Sequence, residues 1–192
     1  MKTKIAIFIS GRGSNMEAIL KNARDGILKE VCEPALVFSN KSTARGLATA
    51  KQFGVPTAVV ENKGKKREEF DRQVLEILQP YQVEYIVLAG YMRILSPVFI
   101  RAYKNRIINI HPADTDHFQG LGAYEWAWEN RLSATKITVH FVDEGVDTGP
   151  VIGKYAVDLR GCLSLEEVEK RGLAVEHQVY SQALSKVFAK KL

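Results

Sequence analysis

The sequence predicts an α/β fold: a Rossmann-like, mostly parallel sheet with helices on both faces, to which the C-terminal half adds antiparallel strands and a long helix. Three observations carry that expectation. In the first half, short apolar runs alternate with segments whose apolar residues recur at helical spacing, the pattern of βαβ units. A glycine stretch, Ser10-Gly-Arg-Gly-Ser-Asn15, joins the first run to the first helical segment. From Ile107 onward, strands separated by turn-rich loops take over, followed by one sustained helical pattern.

Each element has its own warrant. Ile5 to Ile9 is an apolar run closed by the glycine stretch, as expected of a buried parallel strand. Met16, Ile19, Leu20 and Ala23 then recur at helical spacing. Ala35-Leu-Val-Phe38 predicts a second strand, and Ala44, Leu47 and Ala48 predict a second helix ending near Gly54. Thr57 to Val60 predicts a third strand; Phe70, Val74, Ile77 and Leu78 mark a third helix, stopped by Pro80. Tyr85-Ile-Val-Leu-Ala89 is the strongest strand run in the chain. The sheet order should reverse near the first strand, where crevices for ligands form.

Ile107 to His111 is the next strand, halted by Pro112, and Ala113 to Gly122 is a polar loop. Tyr124 to Asn130, containing Trp126 and Trp128, predicts a short helix. Thr135 to Val142 and Val151 to Val157 predict the antiparallel extension, with the turn-rich Asp143-Glu-Gly-Val-Asp-Thr-Gly-Pro150 between them. The last helix opens on a capping box, Ser164 as N-cap and Glu167 three residues on. Its apolar face reads Leu165, Val168, Gly172, Val175, Val179, Ala183, Val187. No linker, repeat or low-complexity tract interrupts the chain, so residues 1–192 are read as one domain.

Composition narrows the function classes. Hydrophobic residues at 46% and charged residues at 26% are ordinary for a globular protein able to bury a core. The net charge of +5 suits an anionic substrate, but basic residues are dispersed apart from Lys63-Gly-Lys-Lys-Arg67 and Lys190-Lys191. That dispersal argues against a nucleic-acid face. Cys32 and Cys162 stand far apart in no metal-like spacing, as in a reduced cytoplasmic protein. The apolar run after Met1-Lys-Thr-Lys4 is too short for a signal segment or a membrane span. Monomer and homodimer both remain open.

The chemistry-bearing residues cluster at predicted strand ends. Side chains two apart on a strand share a face, so Asn109 and His111 should project together at the carboxyl end of their strand. An amide there can donate to a developing oxyanion, and an imidazole can transfer a proton near neutral pH. An isolated Asn or His near a strand end is more often a cap or a satisfied surface polar group. The glycine stretch offers backbone N–H groups at a helix start, an anion site. Position 16 is Met16 where a dinucleotide fingerprint needs glycine, and no Gly-Lys-Ser/Thr follows, so a phosphomonoester fits better than NAD or ATP. Gly90-Tyr-Met-Arg-Ile-Leu95 should face the same crevice, with an apolar wall and one Arg suited to a flat heteroaromatic ligand. Asp143, Glu144 and Asp147 lie on the turn-rich loop. A carboxylate beside His111 would hold its orientation and raise its pKa.

These residues resemble the folate-dependent formyltransferases, and within them the glycinamide ribonucleotide branch. The matching pieces are Ser10-Gly-Arg-Gly-Ser-Asn15, Val37-Phe-Ser-Asn40, Val87-Leu-Ala-Gly-Tyr-Met-Arg-Ile-Leu-Ser96, Asn109-Ile-His-Pro112, Val139-His-Phe-Val142, Gly145-Val-Asp-Thr-Gly-Pro150 and Val175-Glu-His177. They occur in the family's order across nearly the whole chain. The resemblance implies direct transfer from 10-formyltetrahydrofolate, as co-substrate, to the amine of a phosphoribosyl acceptor, with no metal. It implies that Asn109 and protonated His111 hold the oxyanion, that Asp147 pairs with His111 and orders a water, and that His140 supports them. It places Gly13, Ser14 and Asn15 on the substrate phosphate and Glu176 on the ribose. It assigns the folate to Arg67, Met92, Arg93, Ile94, Leu95, Asp143, Glu144, Gly145, Val146 and the rest of the loop to Asp147.

The chain departs from the family after the His-Pro. A Ser-Leu-Leu-Pro stretch is replaced by Ala113-Asp-Thr-Asp116, followed by His117-Phe-Gln-Gly120, and a Tyr-Pro by Tyr180-Ser181. The altered loop leaves open a paralogue with another amine acceptor, or a hydrolase releasing formate. A phosphate-ligand sensor without catalysis is a third expectation. Asp114, Asp116 and His117 with His111 are a weaker alternative as divalent-metal ligands, since proton transfer needs His111 free.

Overall fold

A computed structural model describes residues 1–61 and 63–189; Lys190 and Lys191, noted above as a basic tail, lie outside the described residues. β1 (Thr3–Ile9) is fully buried from Ile5 to Ile9, as a strand covered on both faces must be. Its alternate side chains enter two different cores. Ile5, Ile7 and Ile9 join one cluster with Met16 and Ile19 of α1 (Ser14–Asp25), Leu47 of α2 (Gly46–Gln52) and Val168 of α6 (Leu165–Ala189). Ala6 and Phe8 join the other, with Phe70 and Val74 of α3 (Arg67–Leu78) and Phe99 of α4 (Pro97–Ala102).

The remaining strands are β2 (Cys32–Ser39), β3 (Thr57–Val59), β4 (Tyr85–Leu88), β5 (Ile107–His111), β6 (Ala134–Phe141) and β7 (Val151–Asp158), and α5 covers Ala123–Glu129. They form a seven-stranded sheet ordered β3-β2-β1-β4-β5-β6-β7. Pairs from β3 to β5 are parallel, and β6 and β7 are antiparallel additions, as predicted. The order reverses between β1 and β4, so the carboxyl ends of β1, β4 and β5 share one rim.

Four local readings change. The short helix α4 was not foreseen, although Ser96-Pro97 marks it: the Ser96 hydroxyl accepts from the Phe99 N–H, and Pro97 occupies the first turn. The inward residues of α2 are Gly46, Leu47 and Ala50, with Ala44 buried just before the helix, and Ala48 faces solvent. On α6 the buried face runs Val168, Gly172, Glu176, Val179, Tyr180, Ala183, Leu184, Phe188, leaving Val175 and Val187 at its margin. Tyr180 turns that face: its hydroxyl lies 2.8 and 3.0 Å from the carbonyls of Leu88 and Ile108, keying the helix to the end of β4 and the start of β5. The capping box is also shifted by one residue. Ser164 accepts from the Glu167 N–H at 3.3 Å, but the Glu167 carboxylate reaches back to the N–H of Leu163 at 2.7 Å.

Candidate active site

β5 ends with Asn109 and His111 on the same face, both against the carboxylate of Asp147. His111 is 4% exposed, with Nδ1 3.3 Å from Asp147 Oδ2 and Nε2 3.0 Å from the Phe118 carbonyl oxygen. The Asn109 amide nitrogen lies 3.3 Å from Asp147 Oδ1 and 3.3 Å from His140 Nε2. His140 Nδ1 lies 2.8 Å from the Phe141 carbonyl oxygen, and its Nε2 lies 3.4 Å from Asp147 Oδ1 as well as beside the Asn109 amide. Asp147 is fixed in turn by the Gly120 N–H at 2.9 Å. Its φ of +53° lies in the left-handed region, which among residues other than Gly is taken most readily by Asn and Asp, so the turn suits a carboxylate at this position.

The electrostatics of the group oppose one another. Burial pulls the His111 pKa down, the Asp147 carboxylate and Phe118 carbonyl push it up, and His140 lowers it; the net direction is below the ordinary value. The expectation that Asp147 raises the pKa describes one contribution, and burial outweighs it. Asp147 itself stays below the ordinary carboxylate value: burial works against its charge, and the His140 contact and Gly120 N–H overcome it.

A cleft of about 850 Å³ opens above this group. At one end lie Gly13, Ser14 and Asn15, where α1 begins; Gly13 precedes it at φ +75°, a conformation glycine takes without strain. The Asn15 amide donates to Glu176 Oε2 at 2.5 Å, and the Tyr124 hydroxyl donates to Oε1. Burial raises the Glu176 pKa against those two hydrogen bonds. Glu176 is 5% exposed, in the middle of the inward face of α6 and not at its margin.

At the other end Met92 and Ile94 stand exposed, Leu95 is buried, and Val146 and Leu121 face them across the mouth. Arg93 lies with its guanidinium 4.2 Å above the Phe70 ring. Asp143, Glu144 and Gly145 line the same wall; Glu144 lies 3.8 Å from Arg101, and Asp143 accepts from the Thr148 hydroxyl and the Gly145 N–H. Arg67 is not brought to the cleft. It starts α3, whose inward face is Phe70, Val74 and Leu78, so its own side chain is left exposed.

Sequence reasoning missed Tyr124, the Phe118 carbonyl, the Gly120 N–H and Ser10. The Ser10 hydroxyl ties three segments together, donating to Asn40 at 2.6 Å and accepting from the Met92 N–H at 2.8 Å. A hint of Tyr124 was available in Gly172: a glycine inside an apolar helix face signals something bulky opposite, and a Cβ there would collide with the Tyr124 ring. The acidic residues weighed as metal ligands have other partners. Asp114 and Asp116 face lysines, and among the described residues no group of three or more His, Cys, Asp or Glu is placed to hold a metal. No helix of the described residues is long and apolar enough to cross a membrane.

A family model described as "Formyl transferase" matches residues 3–184. Phosphoribosylglycinamide formyltransferase of Bacillus subtilis (strain 168) is 35% identical over 185 residues, covering 96% of this chain and 94% of that protein. The crystal structure of phosphoribosylglycinamide formyltransferase from Bacillus halodurans matches with a TM-score of 0.93 at 37% identity, covering 99% of this chain and 97% of the other. The trifunctional purine biosynthetic protein adenosine-3 of Gallus gallus is 38% identical over 187 residues, 97% of this chain but 18% of that longer protein.

Proposed function

The chain belongs to the formyl transferase family, and from that premise we propose that it transfers a formyl group from 10-formyltetrahydrofolate to the amine of glycinamide ribonucleotide in purine biosynthesis. The names of the full-length relatives support this reading. The single observation that carries it is the convergence of Asn109, His111 and Asp147 on one wall of a cleft with a glycine-built anion end and an apolar mouth.

Each end of the cleft has chemistry for one reactant. Backbone N–H groups of Gly13, Ser14 and Asn15 at the α1 start suit the phosphate, with Glu176 for the ribose hydroxyls. Met92, Arg93, Ile94, Leu95 and the loop from Asp143 to Val146 suit the folate; Arg67 lies outside this arrangement. The amine nitrogen attacks the formyl carbon, and the C=O π pair moves onto oxygen. With substrate bound, Asn109 and His111 each turn one N–H from its resting partner to that oxyanion, whose negative charge favours the imidazolium form of His111. Asp147 holds the ring in register and orders a water that carries the proton lost by the amine towards the folate nitrogen, as the old C–N bond breaks. His140 orients Asn109 throughout.

We read residues 1–192 as one domain carrying both reactants, acting as a monomer or homodimer in the cytoplasm, where Cys32 and Cys162 stay free thiols. The assay is purified protein with 10-formyltetrahydrofolate, with and without glycinamide ribonucleotide. Formylated product that requires the acceptor is the expected result. Formate released equally without acceptor would replace transfer with hydrolysis.

A further inference from the structure

The loop after His111 is anchored by charge in an unusual place. Asp114 is 6% exposed, yet accepts from Lys136 Nζ at 2.8 Å and from Lys154 Nζ. Burial would neutralise its carboxyl; the two ammonium groups overcome this and hold its pKa well below the usual carboxylate range. Lys154 also pairs with Asp116 at 2.6 Å, the Asp116 N–H closes on Asp114 Oδ1 at 3.2 Å, and His117 Nε2 lies 3.9 Å from Asp114 Oδ2. The lysines come from neighbouring antiparallel strands, Lys154 of β7 standing opposite Thr138 of β6, two residues from Lys136. Thr138 joins the same anchorage, its hydroxyl donating to the Ala113 carbonyl at 2.7 Å.

What this anchor holds is the environment of His111. The Asp114 carbonyl accepts the N–H groups of His117 and Phe118, both at 2.9 Å, closing a turn. The far end of that turn aims the Phe118 carbonyl at His111 Nε2. Two residues on, the Gly120 N–H donates to Asp147 Oδ2, the same oxygen that faces His111 Nδ1. One loop thus supplies the partner of one ring nitrogen and orients the partner of the other. The Phe118 ring lies nearly parallel to His111, at 8° and 6.4 Å, and stacks on Trp126 at 5.0 Å.

We propose that Asp114, clamped by Lys136 and Lys154, is a positioning residue that sets the orientation and proton affinity of His111 through the Asp114–Phe118 turn. The inference rests on the reading of His111 as the proton-transferring group, and it gives the loop that departs from the family a job in the reaction rather than in acceptor choice. The other groups facing His111, namely Asp147, His140 and Asn109, are not substituted in the variants that test it, and Asp147 meets the loop only through the Gly120 N–H.

Asp114→Asn and Lys154→Met separate the turn from charge acting through space. Loss of Asp114 removes a negative charge and loss of Lys154 removes a positive one, so direct coulombic coupling moves the His111 titration in opposite directions. Loosening of the turn withdraws the Phe118 carbonyl in both, which lowers the titration in both. The ring nitrogens of His111 are followed by ¹⁵N–¹H NMR across pH in the substrate-free protein, with His111→Asn assigning the signals. The expected result is a downward shift of about half a pH unit or more in each variant, with kcat reduced about tenfold and both KM values held within about twofold. Opposite shifts, or no shift in either, overturn the proposal even if melting temperatures fall. If Asp114→Asn does not fold, the sign of the Lys154→Met shift decides alone. Failure of the wild-type protein to transfer formyl would sink the functional reading while leaving the titration result standing.

Discussion

The glycine loop at residues 10–15 and the loop at residues 113–120 border the same cleft but are held by different physics. The first is tied by neutral groups to the segments beside it: the Ser10 hydroxyl bonds Asn40 and the Met92 N–H, the Gly11 carbonyl accepts from the Gly46 N–H, and Gly13 supplies the left-handed turn into α1. The second is held by charge. Its Asp114 is fixed by lysines 22 and 40 residues away, and its carbonyls and N–H groups then serve His111 and Asp147. A loop that presents its own N–H groups to a ligand is set by neutral hydrogen bonds, whereas the loop that serves a buried imidazole and the carboxylate paired with it is set by a charged anchor.

The largest effect expected in this comparison is at the residue the second loop serves. His111→Ala should lower kcat by about a thousandfold, with the far-ultraviolet spectrum and the phosphate end of the cleft unchanged. A variant that binds acceptor normally and turns over like wild type would remove His111 from the chemistry.

The anchor comes next. Asp114→Asn leaves two ammonium groups facing one amide and should cost about 2 kcal/mol of stability, measured by urea unfolding near neutral pH. The sign with pH follows from its lowered folded pKa. The stabilisation is fully present above the ordinary carboxylate value near 3.8 and is lost as pH falls through the folded value, so acid should narrow the gap between variant and wild type. A gap constant down to the acid unfolding transition would contradict the ion-pair account.

At the phosphate end, Gly172→Ala tests packing against propensity. Alanine should gain about 1 kcal/mol in a helix interior, but its Cβ meets the Tyr124 ring. Overpacking of about 2 kcal/mol is expected to win, displacing the Tyr124 hydroxyl from Glu176 and raising the KM for the acceptor. The pair Gly172→Ala with Tyr124→Ala should recover part of the stability; stabilisation by Gly172→Ala alone would show that the ring can move freely.

The smallest effect is at Asp116, whose side chain is 75% exposed although it touches the same lysine as Asp114. Asp116→Asn should change stability by less than about 0.5 kcal/mol. A loss as large as that of Asp114→Asn would mean that the clamp does not depend on burial.

Strand and helix identity were legible because period and burial are local properties of the chain. Ile5 to Ile9, closed by a glycine stretch, reads as a two-sided buried strand, and the alternation that follows it argues for parallel crossovers. Asn109 and His111 could be paired from their spacing alone, since a strand puts residues two apart on one face. Only the tertiary structure decided the rest. Tyr180, with a polar hydroxyl, faces the sheet because the carbonyls of Leu88 and Ile108 on neighbouring strands await it there, whereas Val175 and Val187 sit at the rim. Arg67 remains at the surface because α3 buries its other face. Burial of His111 outweighs the carboxylate beside it, and the aspartates after the His-Pro meet lysines from two later strands. Local periodicity determines which way a side chain faces along its own element; which distant partner and how much water it meets there is a property of the assembled chain.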